Sequence, residues 1–297
     1  MSPPLKTAVI TGATSGIGRA AAFALAKNGI KVVLLGRREK IGRAVADQIR
    51  RYHGKSSATF LSVDLGEPDQ VRAVVSAIHA EHTVIDILIN NAGARNDQYL
   101  CTNNGRELTF ACNHLGHFLL TCLLLDCLLA APAGRIITVS SGNHGTVPTD
   151  GCWELSREHY DRRTAYARSK MANIVFASEL ARRLHTTTVT SNAYEPGGVL
   201  SGFARNNGLF CWLRHVLSHV LKKDLVTSAK AAKGIERLAC EPSLKRTSGR
   251  YVRREINVAA LSTFHTLEDA AYLWTISTSL TGLIEPNART AWRLIKP

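Results

Sequence analysis

Short apolar runs alternate with longer amphipathic segments along most of the chain. Each run is apolar at successive positions, without the polar alternation of a sheet that has one face in solvent. The runs are KTAVIT, IKVVLLG, SATFLSVD, VIDILINN, GRIITVSS and TTVTSNAY. Because strands buried on both faces have this pattern, the sequence predicts a doubly wound α/β fold. We expect a parallel sheet of about seven strands with helices on both faces.

The segments between these strands predict helices at 17–28, 39–52, 68–82 and 108–129, and a further helix through Tyr166. No repeat, low-complexity segment or Pro/Gly/Ser linker divides the chain, so we predict a single domain over residues 1–297. Two insertions, around 142–163 and 201–224, depart from the alternation. Ligands bind beyond the carboxyl ends of the strands in such sheets, so both insertions are expected beside a substrate pocket.

The composition is that of a globular protein, with 45% hydrophobic and 20% charged residues among 297. The net charge of +14 favours anionic partners, such as nucleotides, nucleic acid or acidic membrane surfaces. The basic residues are spread over many segments and form no known nucleic-acid motif. We therefore predict no nucleic-acid partner.

The seven cysteines form no CxxC pair and no Cys/His cluster at zinc spacing. This predicts free thiols in a reducing compartment and no metal site. The N-terminus shows no charged leader before an apolar stretch. The longest apolar run, HFLLTCLLLDCLLAAP, is interrupted by Asp126 and is too short to cross a bilayer. We expect a cytoplasmic protein.

The first predicted strand ends in the glycine-rich turn TGATSGIG, and a predicted helix follows it. Gly12, Gly16 and Gly18 permit a tight turn and a close approach of the backbone to phosphate. The start of the helix directs free N–H groups and the positive end of its dipole at the anion. The turn therefore predicts a nucleotide site of the Rossmann type. A Walker loop is excluded, because Arg19 and Ala20 follow the last glycine.

The second predicted strand ends in Gly36, Arg37 and Arg38 instead of an acidic residue. An Asp or Glu at this place binds the free 2′-hydroxyl of NAD(H), whereas arginine pairs with the 2′-phosphate of NADP(H). The sequence therefore predicts that NADP(H) is preferred over NAD(H). The alternative is that the two arginines only solvate the end of a strand.

The segment YARSK places Tyr166 and Lys170 four residues apart, on one face of a helix. An ordinary solvated helix can have this pair, so it indicates little alone. Six motifs in order resemble the short-chain dehydrogenase/reductase family: TGATSGIG, VDL at 63–65, NNAG at 90–93, NHLGHF, VSS before YARSK, and EPGGVLS. The chain most resembles the retinol-dehydrogenase-like branch, through NHLGHF and the 25 residues from Ser141 to Tyr166.

This resemblance implies four catalytic residues. Tyr166 would exchange a proton with the substrate oxygen, with its pKa lowered by the Lys170 ammonium. The length of the gap indicates that Ser141, and not Ser140, positions that oxygen. Asn113 would hold a backbone site and a water linked to Lys170. The implied cofactor contacts are Gly12, Thr14, Ser15, Gly16, Ile17, Gly18, Arg37, Arg38, Asp64, Leu65, Asn90, Ala92, Gly93, Tyr166, Lys170, Pro196, Gly197, Val199 and Ser201.

The resemblance further implies an NADP-dependent oxidoreductase that interconverts a carbonyl (ketone or aldehyde) and an alcohol. Apolar residues at helical spacing within 208–223 indicate a lipophilic substrate, such as a retinoid, steroid or small apolar aldehyde. This segment predicts a lid or a peripheral contact with a membrane surface, and the alternative is packing on its own domain. A non-catalytic NADP(H)-binding sensor on the same fold is the second functional hypothesis. The sequence leaves the oligomeric state open.

Three features depart from the family pattern. Glu195 precedes Pro196 where His or an apolar residue is expected, and Ser201 replaces a threonine that bonds the carboxamide. Ser201 retains a hydroxyl, so this contact can persist. The N-terminal membrane anchor of many retinol-type relatives is not recognisable, so we expect no tight membrane residence.

Overall fold

The computed structural model describes residues 5–148, 150–200, 225–254 and 256–283. These residues form an eight-stranded sheet and a separate two-stranded sheet. The strands in chain order are β1 (Thr7–Thr11), β2 (Lys31–Gly36), β3 (Ala58–Ser62), β4 (Ile87–Asn90), β5 (Arg135–Val139), β6 (Thr190–Glu195), β7 (Gly198–Leu200), β8 (Leu225–Thr227), β9 (Arg250–Arg253) and β10 (Ile256–Ala260).

The large sheet has the strand order β10-β9-β6-β5-β4-β1-β2-β3. Seven of its strands are parallel, from β3 at one edge to β9, and β10 adds an antiparallel strand at the other edge. The prediction of a doubly wound, mostly parallel sheet is confirmed. The strands β7 and β8 pair with each other in parallel and form the small sheet.

Helices connect these strands. They are α1 (Gly16–Lys27), α2 (Glu39–His53), α3 (Pro68–Glu81), α4 (Leu108–Phe110), α5 (Gly116–Leu123), α6 (Leu125–Leu129), α7 (Arg162–Arg183), α8 (Ser228–Cys240) and α9 (Leu267–Leu280). Short 3₁₀ turns lie at Pro242–Leu244 and Leu261–Thr263, and a π-helical segment covers Ala111–Leu115. The predicted helix at 108–129 is therefore not one regular helix, because its geometry changes at the π segment and breaks at Leu124.

Both faces of the parallel sheet are buried. Along β1, Val9 packs on one side with residues of α3 and α5, whereas Ala8 and Ile10 pack on the other side with α1, α2 and α8. Helices on both faces explain why the strands read as continuous apolar runs. The helices of the described residues do not include one with the length and apolarity needed to cross a membrane.

The predicted insertion at 142–163 lies between β5 and α7 without regular strands or long helices. Trp153 and Leu155 in this insertion are buried. Trp153 packs in the cluster that includes Ala172 of α7 and Leu273 of α9. These two side chains thus anchor the middle of an otherwise largely exposed insertion. The second insertion, 201–224, lies outside the described residues.

Candidate active site

One cavity of about 720 Å³ opens beyond the carboxyl ends of the parallel strands. It extends from the glycine turn after β1 to Tyr166 on α7. Most of the predicted site residues line it: Gly12, Thr14, Ser15, Gly16, Ile17, Arg37, Arg38, Asp64, Leu65, Ala92, Gly93, Ser141, Tyr166, Lys170, Pro196, Gly197 and Val199. From the insertion at 142–163, Gly142 and Asn143 also line it. Ser201 lies outside the described residues.

The glycine turn has the backbone geometry that its sequence predicts. Gly12 and Gly16 have φ values of +65° and +56°, in the region that favours glycine. Gly18 does not line the cavity. A Cβ on Gly18 would overlap the Asn91 side chain and lie 2.5 Å from the Gly12 carbonyl oxygen. The absence of a side chain at Gly18 therefore permits the close packing of α1 against the turn.

Two arginines at the end of β2 differ in their partners. Arg38 donates to the hydroxyls of Thr14 and Ser15 at 3.0 and 2.9 Å, so it holds the glycine turn. The Arg37 side chain is 53% exposed and pairs with Asp64 at 3.4 Å. Both arginines are exposed and line this end of the cavity, and Arg38 is the one bonded to the turn.

Asn90, a predicted cofactor contact, does not line the cavity. Asn90 is fully buried, and its amide donates to the Thr121 hydroxyl at 2.9 Å, away from the cavity. Its neighbour Asn91 lines the cavity and donates to the Thr11 carbonyl at 2.8 Å. Asn91 therefore fixes the turn after β4 against the end of β1. Alternation along the strand separates the two side chains, since successive residues of a strand point to opposite faces.

Tyr166 and Ser141 meet at one end of the cavity. Burial raises the pKa of the Tyr166 phenol, and two interactions oppose this effect. One is a hydrogen bond with the Ser141 side chain, and the other is the positive charge of Arg95. Ser140, the alternative serine, is buried and donates to the Lys170 carbonyl at 2.8 Å. The geometry thus favours Ser141 over Ser140 as the partner of Tyr166.

Lys170 lies one helical turn after Tyr166 on α7 and is buried. Its Nζ is 5.8 Å from the centroid of the Tyr166 ring and donates to the Val139 carbonyl at 3.1 Å. Burial lowers the pKa of the Lys170 ammonium to about 8. The positive charge of Arg95 opposes the rise in the pKa of Tyr166 that burial causes. The predicted effect of Lys170 on this phenol stays a prediction.

Asn113 is buried within the π-helical segment and does not line the cavity. Its side-chain oxygen accepts from the Ala94 amide at 2.7 Å, and its amide donates to the Ala94 carbonyl at 2.9 Å. The same amide reaches the Ser169 hydroxyl at 2.9 Å. Asn113 therefore holds a backbone site, as predicted, and this site belongs to the loop that carries Arg95. Single-turn π segments are frequent at functional sites.

His117 connects this segment to β1, a link that the sequence analysis missed. Burial lowers the pKa of His117 to about 3, so the ring is neutral at pH 7. Its Nδ1 lies 2.9 Å from the Asn113 carbonyl, which can only accept, so Nδ1 carries the proton. Nε2 therefore accepts from the Thr11 hydroxyl at 2.8 Å. The position of His117, four residues after Asn113, was the available signal.

Glu195, which departs from the family pattern, is a buried acid at the edge of the cavity. The Glu195 carboxylate accepts from the Tyr251 hydroxyl at 2.8 Å and pairs with Arg253 at 3.4 Å. A Cβ on Gly142 would lie 2.5 Å from this carboxylate, so glycine is needed next to Ser141. Because β9 was not predicted as a strand, the sequence offered no partner for Glu195.

A second group of side chains outside the cavity has metal-ligand chemistry. His79, Asp126 and Cys127 bring one ligand atom each to within 4.8 Å of one another. His79 Nε2 lies 3.3 Å from Asp126 Oδ1, and the Cys127 thiol donates to the His82 carbonyl at 3.5 Å. These contacts explain why the three side chains lie close together where α3 packs against α6.

Comparison with known proteins agrees with this geometry. Residues 6–209 match the family described as short chain dehydrogenase. Retinol dehydrogenase 12 of Homo sapiens is 36% identical over 282 residues, which cover 94% of this chain and 87% of the relative. Polyprenol dehydrogenase of Mus musculus is 35% identical, with 94% and 84% covered. An uncharacterised protein from Mycobacterium paratuberculosis shares the fold with a TM-score of 0.71, at 29% identity over 93% of each chain.

The cavity and the sheet define an oxidoreductase with a nicotinamide cofactor. The chain belongs to the short-chain dehydrogenase/reductase family, in its retinol-dehydrogenase-like branch. It is therefore an enzyme that acts on CH–OH and C=O groups.

Proposed function

We propose that this enzyme interconverts a carbonyl group and an alcohol, and that it uses NADP(H) in preference to NAD(H). One observation carries the proposal: a single cavity joins the glycine turn and its arginines to Tyr166, Ser141 and Lys170. A nucleotide and a substrate carbonyl can therefore bind next to each other in this cavity, with the proposed proton donor at one end.

The residues present fit an NADP(H) molecule. Gly12 and Gly16 open the turn for a diphosphate, and α1 begins there with its free N–H groups. Arg37 would pair with a 2′-phosphate, while Arg38 holds the turn through its hydrogen bonds to Thr14 and Ser15. Asp64 and Leu65 would contact the adenine, and the residues from Pro196 to Val199 would contact the nicotinamide.

The proposed chemistry uses three side chains. Bound NADPH supplies the hydride that the carbonyl carbon gains. Ser141 holds the carbonyl oxygen, and Tyr166 donates its proton to that oxygen as the alcohol forms. Lys170 would bind the nicotinamide ribose and, with Arg95, keep positive charge near the phenolate until a solvent proton replaces the lost one. Oxidation of an alcohol reverses each transfer.

The proposal extends to a lipophilic substrate. Two relatives are named for retinol and polyprenol, which are long apolar alcohols. The sequence pattern at 208–223 supports this class, although these residues lie outside the described part of the chain. A cytoplasmic location and a peripheral contact with a membrane through 208–223 stay predictions from the sequence, as do the single domain and the absence of a nucleic-acid partner.

Replacement of the proposed proton donor tests this function. Tyr166→Phe removes the hydroxyl alone, so we expect NADPH to bind within about threefold of wild type while kcat falls by at least about 10²-fold. Cofactor fluorescence measures binding, and NADPH oxidation with retinal and with aliphatic aldehydes measures turnover. Tyr272→Phe, at a half-exposed position on α9, is the matched control. Turnover of Tyr166→Phe near the wild-type rate would show that Tyr166 is not the proton donor, and no turnover in the wild type would favour the non-catalytic sensor.

A further inference from the structure

Arg95 is a charged residue of the active-site cavity that the family motifs do not explain. It follows the turn at 90–93 and lines the cavity together with Ser141 and Tyr166. Its charge acts on the Tyr166 phenol. A guanidinium is therefore located at the end of the cavity where the reacting group of the substrate must lie.

The backbone on both sides of Arg95 is fixed. Asn113 holds the N–H and the carbonyl of Ala94 with two hydrogen bonds, of 2.7 and 2.9 Å. After Arg95, the Asn96 carbonyl accepts from the Tyr160 hydroxyl at 2.8 Å. The next residue, Asp97, forms an ion pair with Arg162 of α7 at 2.8 Å. Arg95 is thus held on a pre-organised segment, as is typical of side chains that recognise a ligand.

The charge of the cavity favours an anionic substrate group. Among the described residues that line it, five have cationic side chains and two have acidic ones. Both acids are paired with other arginines, Asp64 with Arg37 and Glu195 with Arg253, each at 3.4 Å. The described lining therefore carries a net positive charge. A guanidinium binds a carboxylate through two parallel hydrogen bonds, which fixes both position and orientation.

We propose that Arg95 binds a carboxylate on the substrate, so that the enzyme prefers acidic carbonyl compounds and alcohols over neutral ones. This inference deepens the proposed function and rests on it. The substrate would be an amphiphile whose apolar skeleton carries a carboxylate, which pairs with Arg95, and a reacting oxygen, which meets Tyr166 and Ser141. The net charge of +14 would attract such anions to the protein.

Matched aldehydes test the inference. A series of aliphatic aldehydes of increasing length, each ending in a carboxylate or in its methyl ester, is reduced with NADPH. For the wild-type enzyme we expect kcat/KM to favour the carboxylate at one or more lengths. Arg95→Gln should lower kcat/KM for those carboxylates between about tenfold and a hundredfold, as expected for loss of a charged hydrogen bond. The esters should change less than about threefold.

Two further variants sharpen the result. Arg95→Lys keeps the positive charge but cannot form the two parallel hydrogen bonds of a guanidinium, so it should retain part of the preference for carboxylates. Arg51→Gln removes an exposed charge of α2 and should leave the preference unchanged, which separates local binding from general attraction. Equal losses for carboxylates and esters in Arg95→Gln, or no preference in the wild type, would overturn the inference while the proposed function stands.

A binding measurement covers the case in which no aldehyde is reduced. The saturated ω-hydroxy carboxylates are titrated by calorimetry into the protein loaded with NADP⁺. Binding that Arg95→Gln abolishes would support the carboxylate site even if the proposed turnover failed its own test. Binding equal to that of the hydroxy esters would overturn it.

Discussion

At the scale of single residues, the two arginines after β2 are neighbours in the sequence but have different partners. Arg38 is bonded to two hydroxyls of the glycine turn, whereas the half-exposed Arg37 side chain forms an ion pair with Asp64. A 2′-phosphate can compete with Asp64 for Arg37, because its charge is greater and its oxygens are strong acceptors. The preference for NADP(H) should therefore depend mainly on Arg37.

Arg37→Ala tests this division. We expect NADPH affinity to fall by more than about tenfold, since a charged hydrogen bond is lost, and NADH affinity to change less than about threefold. Cofactor fluorescence titrations measure both, and Arg51→Ala on α2 is the control for loss of an exposed charge. An equal loss of affinity for NADPH and for NADH would show that Arg37 does not bind the 2′-phosphate.

At the scale of elements, α7 carries both Tyr166 and Lys170, and its start is fixed by a cap. The Asp161 carboxylate accepts from the Thr164 amide and hydroxyl, each at 2.8 Å. These bonds, led by the one from the Thr164 amide, hold the pKa of Asp161 below its usual value. The cap thus stabilises the helix on which the proposed proton donor lies.

Asp161→Ala should lower the free energy of unfolding by about 1 kcal/mol at pH 7, whereas Asp161→Asn should lose less, because asparagine also caps. Since the folded-state pKa of Asp161 is lowered, the charged cap stabilises the protein above about pH 4 and is lost as the pH falls through the folded-state pKa. The difference between wild type and Asp161→Ala should therefore shrink below about pH 4. Urea unfolding at pH 7 and pH 3.5 measures it, and a constant difference would contradict the role of the charged cap.

The segment at 108–129 shows what periodicity cannot predict about an element. Its apolar residues indicate a buried helix, and a helical course is found. The π segment at Ala111–Leu115 has the same residue types as an α-helix would, so its pattern carries no separate signal. The geometry depends on tertiary partners instead, such as the bonds from Asn113 to Ala94 and from His117 to Thr11.

At the scale of the whole molecule, the presence of strands β1 to β6 was predictable and the far edge of the sheet was not. The strands β1, β2, β4 and β5 are mostly buried, apolar runs, which the sequence identifies. The strand β9 reads RYVR, with exposed arginines at both ends, so neither length nor apolarity marks it. Site residues within motifs, such as Ser141 and Tyr166, could be predicted, whereas Arg95 and Glu195 gain their places only when distant segments meet in the fold.

The central claim is that Tyr166 protonates a carbonyl oxygen while NADPH delivers hydride to its carbon in this cavity. The most direct test uses NADPH with deuterium at either face of nicotinamide C4, an aldehyde substrate and mass spectrometry of the product. The account predicts an alcohol one mass unit heavier with one labelled face, formed at least about 10²-fold more slowly by Tyr166→Phe. Product without deuterium from either face, or labelled product at the wild-type rate from Tyr166→Phe, would contradict it.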